Sequence, residues 1–266
     1  MSGTLPPLLL VGCGRMGGAL LAGWREAGLG AVVVVDPMLP KIAPPALVVA
    51  EARDIPADFA PQAVILAIKP QQAAATLPEY ARFAGRAVFL SIMAGRGITG
   101  LRRLLGESAA IVRAMPNTPA AIGEGISAAC VGDGVNAEGR ALCERLLAAA
   151  GEVVWVDHER DLDAVTAVSG SGPAYVFLLA ELLERAAIAE GLAPALARRL
   201  ARRTVAGSGA LLAAIGEDAA ALREAVTSKG GTTAAALSVL MAPEALPKLL
   251  PEAIAAAAAR SRELAE

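Results

Sequence analysis

The stretch Val11-Gly12-Cys13-Gly14-Arg15-Met16-Gly17-Gly18 follows an apolar run and opens a segment of helical composition. A G-x-G-x-x-G sequence in this context is typical of a dinucleotide site. Gly12 permits a tight turn, Gly14 lets a pyrophosphate approach the backbone, and Gly17 allows close packing of helix on strand. The pattern alone is weak, but its place between a strand and a helix predicts a dinucleotide site here.

An acidic residue ends the next strand of the pattern. Asp36 follows Val32–Val35, at the distance from the glycines where a carboxylate accepts hydrogen bonds from the adenosine ribose and repels a 2′-phosphate. No arginine follows at once, and Lys41 is the only nearby cation. We therefore expect NADPH or NADH as cofactor, with NADH serving at least as well. The alternative is that Asp36 only begins a turn before Pro37.

Short apolar runs alternate with helical segments in the first part of the chain. The runs are rich in Val, Ile and Leu, which is typical of parallel strands buried on both faces. This βαβ series predicts an α/β fold, a Rossmann-like doubly wound sheet in residues 1–158, with ligands at the carboxyl ends of the strands. The expected strands are Leu8–Val11, Val32–Val35, 64–68, Val88–Ser91, 111–113, 126–131 and 153–156, with helices at 16–27, 71–83 and 137–149.

Strand patterns stop after His158, and the rest of the chain has helical composition punctuated by Gly and Pro. Residues 159–266 are therefore expected to form an all-helical second domain. Pro173, with glycines just before it, predicts a bend or break in the first long helix. The expected helices are 161–190, 194–215, 217–227, 232–242 and 251–264.

The composition is apolar for a soluble protein. Hydrophobic residues make up 55% of the 266, and the mean hydropathy is +0.54. Much of the excess is alanine in helices that look apolar on more than one face, and such helices need partners on several sides. The longest uncharged stretch, residues 164–180, contains Ser-Gly-Ser-Gly-Pro and reads as too polar and broken to span a membrane. We expect a homo-oligomer and no membrane partner.

Charge and cysteine content argue against other classes of protein. The net charge is −2, with no basic tract and only eight aromatic residues (two Trp, two Tyr, four Phe), so we expect no nucleic-acid partner. No basic segment of signal-peptide type precedes the first apolar run. The three cysteines are scattered without CxxC spacing, which indicates reduced thiols in a cytoplasm.

The chain contains one histidine, His158. A Ser-His-Asp triad or a multi-histidine metal centre would have to be built around this single imidazole. It lies in the charged run Asp157-His158-Glu159-Arg160-Asp161, which favours a solvated linker position. We therefore expect no metal site.

Short polar loops follow three other predicted strands. Lys69-Pro70 and Ser91-Ile92-Met93-Ala94-Gly95 end two neighbouring strands, and Met115-Pro116-Asn117-Thr118-Pro119 follows a third. In an open α/β sheet these ends face the cofactor crevice, and the paired prolines suggest a preformed wall near the nicotinamide. The residues expected to contact the cofactor are Gly12, Gly14, Arg15, Met16, Gly17, Asp36, Lys69, Pro70, Met93, Ala94 and Asn117.

A second candidate site lies more than two hundred residues after the glycine loop. Residues 226–233 read Val-Thr-Ser-Lys-Gly-Gly-Thr-Thr and run directly into an apolar helical stretch. Hydroxyls and glycines before a helix leave backbone N–H groups directed at one point, where the helix dipole favours an anion. Together with the dinucleotide site, this predicts a reductase of a small carboxylate-bearing substrate. The alternative is an ordinary capped helix.

These motifs together resemble the pyrroline-5-carboxylate reductase family over essentially the whole chain. The specific parts are Met115-Pro116-Asn117-Thr118-Pro119, Asp163-Ala164-Val165-Thr166 followed by Ser169-Gly170-Ser171-Gly172-Pro173-Ala174-Tyr175, and residues 226–237. The resemblance implies a Rossmann domain, a helical domain for dimerisation and substrate binding that interlocks with a second subunit, and dimers that often gather into larger rings. The one departure is Lys229, where family members often have proline.

The resemblance also implies the substrate and the residues that bind it. The substrate would be a cyclic imino acid, 1-pyrroline-5-carboxylate, reduced to L-proline in the last step of proline biosynthesis. Thr233 would hydrogen-bond the ring nitrogen as the catalytic residue. Ser228, Gly231 and the amides of Thr232 and Thr233 would hold the carboxylate. The small residues at 169–175 would help to form a floor for the substrate, or would serve only for close helix packing.

Two other functions fit parts of the sequence. A β-hydroxyacid-dehydrogenase-like oxidoreductase shares the plan of a Rossmann domain followed by helices, but relies on a lysine after the Rossmann domain, and none occurs between Lys69 and Lys229. A non-catalytic nucleotide-sensing Rossmann protein would need no second anion site.

Overall fold

The computed structural model describes residues 4–265 and contains one mixed sheet of eight strands within that part of the chain. The strand order is β3-β2-β1-β4-β5-β6-β7-β8, and neighbours are parallel except for β6 and β7, which are antiparallel. The predicted Rossmann-like sheet is confirmed. The strands are β1 Leu8–Val11, β2 Val32–Val35, β3 Ala46–Val49, β4 Ala63–Leu66, β5 Val88–Ser91, β6 Ala110–Met115, β7 Gly125–Val131 and β8 Gly151–Trp155.

Both faces of the central strands are covered, which explains their continuous apolar runs. Leu8 and Leu10 of β1 belong to one core cluster, whereas Leu9 and Val11 belong to a cluster on the other face. Successive side chains of a strand point to opposite faces, so a strand between two cores is apolar at every position. Trp24 anchors the first cluster, fully buried, with its indole Nε1 donating to the Leu146 carbonyl oxygen at 2.8 Å.

The helices of this part of the chain connect successive strands. The predicted helix at 71–83 is wrong in type, because only its short middle section is α-helical and Leu77–Phe83 is a 3₁₀ helix. Pro78 lacks the N–H that an α-helix would need there. The α-helices up to this point are α1 Arg15–Glu26, α2 Ala73–Thr76, α3 Ile98–Leu105 and α4 Ala137–Ala148.

After β8 the described chain is helical, as predicted. The expected break near Pro173 is confirmed, since α5 passes into a π-helical turn, Thr166–Gly170, and a new α-helix then begins at Gly172. Pro173 lies in its first turn, where its missing N–H costs nothing. The helices are α5 Asp161–Val165, α6 Gly172–Ala189, α7 Pro194–Ala214, α8 Ala219–Ala225, α9 Thr232–Leu240 and α10 Leu246–Ala265.

The chain divides into two compact units. Residues 4–170 form one unit together with 257–265, and Ser171–Ala256 form the other. The first unit contains the whole sheet and the π-helical turn. The domain boundary expected from the sequence, between residues 158 and 159, stays a prediction.

The helical run Asp161–Ala189 is long and apolar enough to cross a membrane by length and composition, the single such run in residues 4–265. Only 11% of its most apolar window is buried within the chain. The interruption at residues 166–172 lies inside this run. Apolar surface of this kind is covered either by a membrane or by another protein surface.

Candidate active site

The glycine loop between β1 and α1 has the shape that a dinucleotide requires. Gly12 has a left-handed backbone (φ +88°), and a Cβ there would stand 2.8 Å from the Ala67 carbonyl oxygen. A Cβ on Gly17 would collide with the Gly12 carbonyl oxygen, so both positions admit only glycine. Around Gly14, by contrast, the space within 4 Å of a Cβ is empty. The backbone is thus open on the side from which a phosphate approaches, and no side chain caps the N-terminus of α1.

Asp36 is held beside this loop by two backbone amides. Its Oδ2 accepts a hydrogen bond from the Cys13 N–H at 2.7 Å, and its Oδ1 accepts one from the Met38 N–H at 2.9 Å. Burial raises the pKa of the Cys13 thiol, and the Asp36 charge raises it further. The carboxylate is therefore a fixed negative charge at the edge of the loop, with lone pairs left for a ribose hydroxyl.

The loops after β4 and β5 lie side by side at the same edge of the sheet. Lys69 is exposed and follows β4, and the Pro70 carbonyl oxygen accepts a hydrogen bond from Arg96 Nε at 3.2 Å. Arg96 belongs to the loop after β5, in which Met93 is buried and Ala94 is exposed. The structure thus brings these predicted cofactor residues to the edge at which the glycine loop lies.

Asn117 follows β6 and is held at both ends of its amide. Its Oδ1 accepts the Ile126 N–H at 3.0 Å, and its Nδ2 donates to Ser169 Oγ at 3.3 Å. Ser169 lies in the π-helical turn. The paired prolines around Asn117 belong to a short loop and a 3₁₀ helix, Thr118–Ile122, which fixes the path of the chain here.

An ion pair that was not predicted from the sequence joins the buried Arg113 of β6 to the partly exposed Glu159. Arg113 is 5% exposed, and one of its guanidinium nitrogens lies 2.9 Å from Glu159 Oε1. The same oxygen accepts the Ile98 N–H at 2.8 Å, at the start of α3. A buried charge is tolerated only when paired and hydrogen-bonded, so Arg113 and Glu159 depend on each other. An arginine inside an otherwise apolar strand was the available signal.

The end of α10 returns to the sheet-containing unit, which the sequence reasoning also missed. Gly95 has φ +67°, and a Cβ there would stand 2.9 Å from the Leu264 carbonyl oxygen. Ser261 is buried, and its hydroxyl donates to Asp163 Oδ1 at 2.6 Å. Residues 257–264 therefore cover the loop after β5 and hold α5.

The predicted substrate residues lie in the other compact unit, at the start of α9. The Ser228 carbonyl oxygen accepts the Gly231 N–H at 3.0 Å, closing a turn in which Gly230 is left-handed (φ +73°). No side chain caps the helix that begins at Thr232. A Cβ on Gly231 would collide with Ser228 Oγ, so the hydroxyl lies directly over the turn. The uncapped N–H groups of this nine-residue helix suit an anion such as a carboxylate.

The other candidates from the sequence are exposed. His158 and Lys229 both lie at the surface of the chain, His158 in the turn before α5 and Lys229 in the turn before α9. Across residues 4–265, no group of three or more His, Cys, Asp and Glu side chains gathers as a metal site would require.

Family models match both parts of the chain. A model described as pyrroline-5-carboxylate reductase dimerisation matches residues 159–264. A model described as NADP oxidoreductase, coenzyme F420-dependent, matches residues 8–95, the part that contains the glycine loop.

Comparisons over the whole chain point to the same family as the dimerisation model. The chain is 35% identical to pyrroline-5-carboxylate reductase of Haemophilus influenzae over 97% of both chains. It is 36% identical to that of Pseudomonas aeruginosa, over 99% of this chain and 98% of the relative. The structure of a pyrroline-5-carboxylate reductase from Coxiella burnetii has a TM-score of 0.89 at 29% identity, covering 99% of this chain and 100% of that one.

A further solved structure contains the cofactor. The crystal structure of Plasmodium falciparum pyrroline carboxylate reductase with NADP bound has a TM-score of 0.85 at 27% identity, covering 99% of this chain and 100% of that one. Full-length identity above a third, a shared fold and a matching dimerisation model all agree. The chain therefore belongs to the pyrroline-5-carboxylate reductase family.

Proposed function

We propose that this chain reduces 1-pyrroline-5-carboxylate to L-proline with a hydride from NADPH or NADH. The observation that carries the proposal is the uncapped start of α9 beneath the Ser228 hydroxyl, in a chain whose glycine loop admits only glycine at positions 12 and 17. The first feature suits a small carboxylate and the second suits a dinucleotide. Membership of the reductase family joins the two in one reaction.

The reaction requires little from the protein beyond the positioning of the substrate and the cofactor. The C=N bond of the substrate, protonated as an iminium, is already electrophilic at carbon. When a hydride adds to that carbon, the π electron pair passes to nitrogen, which keeps its proton and becomes a secondary amine. The bound dinucleotide supplies the hydride.

The residues of this chain then hold the reacting groups in place. Thr233 donates a hydrogen bond at the ring nitrogen as the amine forms, and Ser228 with the amides of Thr232 and Thr233 holds the carboxylate. Gly231 keeps the turn narrow enough for the Ser228 hydroxyl to lie over it. This division of roles places reacting atoms in a near-attack geometry without a strong protein acid.

The cofactor residues have separate tasks in this proposal. The loop from Gly12 to Gly17, with Gly14, Arg15 and Met16, holds the pyrophosphate, and Asp36 holds the adenosine ribose. Because the Asp36 charge is fixed by two amides, NADH serves at least as well as NADPH. The residues after the other strands, which line the nicotinamide side, are Lys69, Pro70, Met93, Ala94 and Asn117.

The helical unit forms a homodimer at minimum. Helices α6 and α9 bury no residue within their own chain, and Phe177 and Val239 are 67% and 69% exposed. Apolar surface of this extent marks a protein interface or causes aggregation. The dimerisation model covers this region, including the whole of the run that is long enough to span a membrane. Each active site combines the cofactor domain of one subunit with the helical domain of another. The enzyme acts in the cytoplasm.

Light scattering tests the assembly. At micromolar concentration we expect a mass of at least two chains without detergent. A monomeric mass, or a protein that stays in solution only with detergent, contradicts the proposed dimer.

Steady-state oxidation of NADPH and NADH with racemic 1-pyrroline-5-carboxylate tests the activity. We expect turnover with both cofactors and L-proline as the product. If the protein binds the dinucleotide but shows no turnover with NADPH and none with NADH, the proposed reaction is wrong. A nucleotide-sensing function would then remain.

A further inference from the structure

The π-helical turn Thr166–Gly170 meets the end of β6 and the loop that follows it. A Cβ on Gly170 would stand 2.7 Å from Met115 Cε, so the absence of a side chain lets the methionine pack against the turn. One residue earlier, Ser169 Oγ accepts the hydrogen bond from Asn117 Nδ2. The π-helical conformation is rare in proteins. Where a single π turn does occur, it is frequently at a functional site. Here the turn delivers a hydroxyl to the loop that follows a central strand.

These contacts fix which way the Asn117 amide faces. The Ile126 N–H can only donate, so it selects the oxygen of the amide, and Ser169 then meets the nitrogen. A primary amide has two N–H donors and two lone pairs on its oxygen. One N–H and one lone pair of Asn117 therefore remain for another group. Such a pair complements a carboxamide, which carries one acceptor and an NH₂ donor.

We infer that Ser169 is a positioning residue, which orients Asn117 toward the carboxamide of the nicotinamide ring. The inference rests on the proposed function, because that proposal assigns Asn117 to the cofactor. Ser169 does not touch the cofactor in this scheme. Its hydroxyl keeps the amide nitrogen of Asn117 in place, so that the remaining N–H holds the ring at a fixed rotation for hydride transfer.

Two binding measurements separate this role from general support of the fold. NADH carries the nicotinamide, whereas ADP-ribose shares the rest of the molecule and lacks the ring. In Ser169→Ala we expect the Kd for NADH to rise about 3- to 10-fold, which corresponds to one neutral hydrogen bond. The Kd for ADP-ribose should stay within about twofold, and kcat should fall while KM for pyrroline-5-carboxylate is kept.

Two further variants serve as controls. Ser169→Thr keeps the hydroxyl and should restore the Kd for NADH. Thr166→Val removes a hydroxyl from the same π turn, but that hydroxyl donates to the Leu162 carbonyl oxygen at 2.6 Å and does not reach Asn117. We therefore expect Thr166→Val to leave the ratio of the two dissociation constants unchanged, even if it lowers the Tm.

The outcomes are distinct. If Ser169→Ala binds NADH as tightly as the original chain, or loses NADH and ADP-ribose equally, Ser169 does not orient Asn117 and the inference is wrong. If the unmodified chain binds NADH but never reduces pyrroline-5-carboxylate, the proposed function is wrong, and the ratio of the two affinities still decides the role of Ser169.

Discussion

Asp36 joins the second strand to the glycine loop, because its carboxylate accepts the Cys13 N–H at 2.7 Å. The other carboxylate oxygen accepts the Met38 N–H, so the group is held from two sides. A carboxylate fixed in this way cannot turn aside when a dinucleotide carries a phosphate on its adenosine ribose. In the proposed function, this pair links the geometry of the loop to the choice between NADH and NADPH.

The first prediction concerns that choice. Asp36→Ser removes the negative charge, so the ratio of kcat/KM for NADPH to that for NADH should rise about tenfold or more, equivalent to about 1.4 kcal/mol. Steady-state kinetics with both cofactors measures the ratio. Asp36→Asn is the variant closest in shape: it removes the charge and keeps one of the two oxygen acceptors, so one backbone N–H loses its partner, and it should shift the ratio in the same direction.

The unmodified chain offers a simpler check on Asp36. A tenfold preference for NADPH in the original chain means that the carboxylate does not face the ribose. Asp36 would then serve only the Cys13 and Met38 amides.

Thr233 should contribute to the rate more than to binding of the cofactor. Thr233→Val keeps the shape and removes the hydroxyl, leaving the ring nitrogen without its partner. A neutral hydrogen bond lost in a closed site costs roughly 1–3 kcal/mol, so kcat/KM should fall about 5- to 150-fold. The Kd for NADH should hardly change. Full kcat/KM in this variant would remove Thr233 from the reaction and return it to the role of a helix-start residue.

Ser228 and Gly231 should act on the substrate as a pair. Ser228→Ala should raise KM for pyrroline-5-carboxylate with little loss of kcat, because carboxylate binding is shared by ground and transition states. Gly231→Ala should have a similar effect, since its methyl would displace the Ser228 hydroxyl. In the double variant the two effects should not add. Additive losses would show that Gly231 acts independently of Ser228.

Cysteine reactivity provides a test of the cofactor loop in the intact protein. Cys13 is half-buried, whereas Cys130 and Cys143 are buried, and burial raises the pKa of Cys143 to about 12. Because the pKa of Cys13 is also raised, its reactive thiolate is scarce at neutral pH and increases about tenfold per pH unit below that pKa. Iodoacetamide should therefore modify Cys13 first, slowly at pH 7 and faster at pH 9.

Mass spectrometry of the alkylated peptides measures this order. Saturating NADH should slow modification of Cys13 and leave the other two thiols unaffected. Modification of Cys143 ahead of Cys13 in folded protein contradicts the burial of Cys143 within α4.

Much of the sheet can be predicted from the sequence because its strands are buried on both faces. The observed bounds of β1, β2 and β5 are those expected from their apolar runs. The strand Ala46–Val49 was not predicted, because this edge strand is only partly buried and follows two prolines. The helix expected at 71–83 failed because a proline within it outweighed its helical composition.

The candidate site divides in the same way. Loops after parallel strands share one edge of a sheet, so the glycine loop and the loops after β4 and β5 could be grouped in advance. The bonds from Asn117 to Ser169 and from Arg113 to Glu159 join residues 52 and 46 positions apart. Such pairs depend on how the chain turns back after β8, and no local pattern encodes that path.

The packing of α10 on the sheet-containing unit also sets an order of events during synthesis. The Ser261 hydroxyl reaches Asp163 across 98 positions of chain, and Leu264 covers Gly95 in the loop after β5. At about 5–20 residues per second, a ribosome needs on the order of 5 to 20 s to make the segment between Asp163 and Ser261. The strands can pair during that interval, but the loop after β5 meets Leu264 only afterwards. The cofactor half of the molecule is thus completed by residues that the ribosome delivers after the helical half.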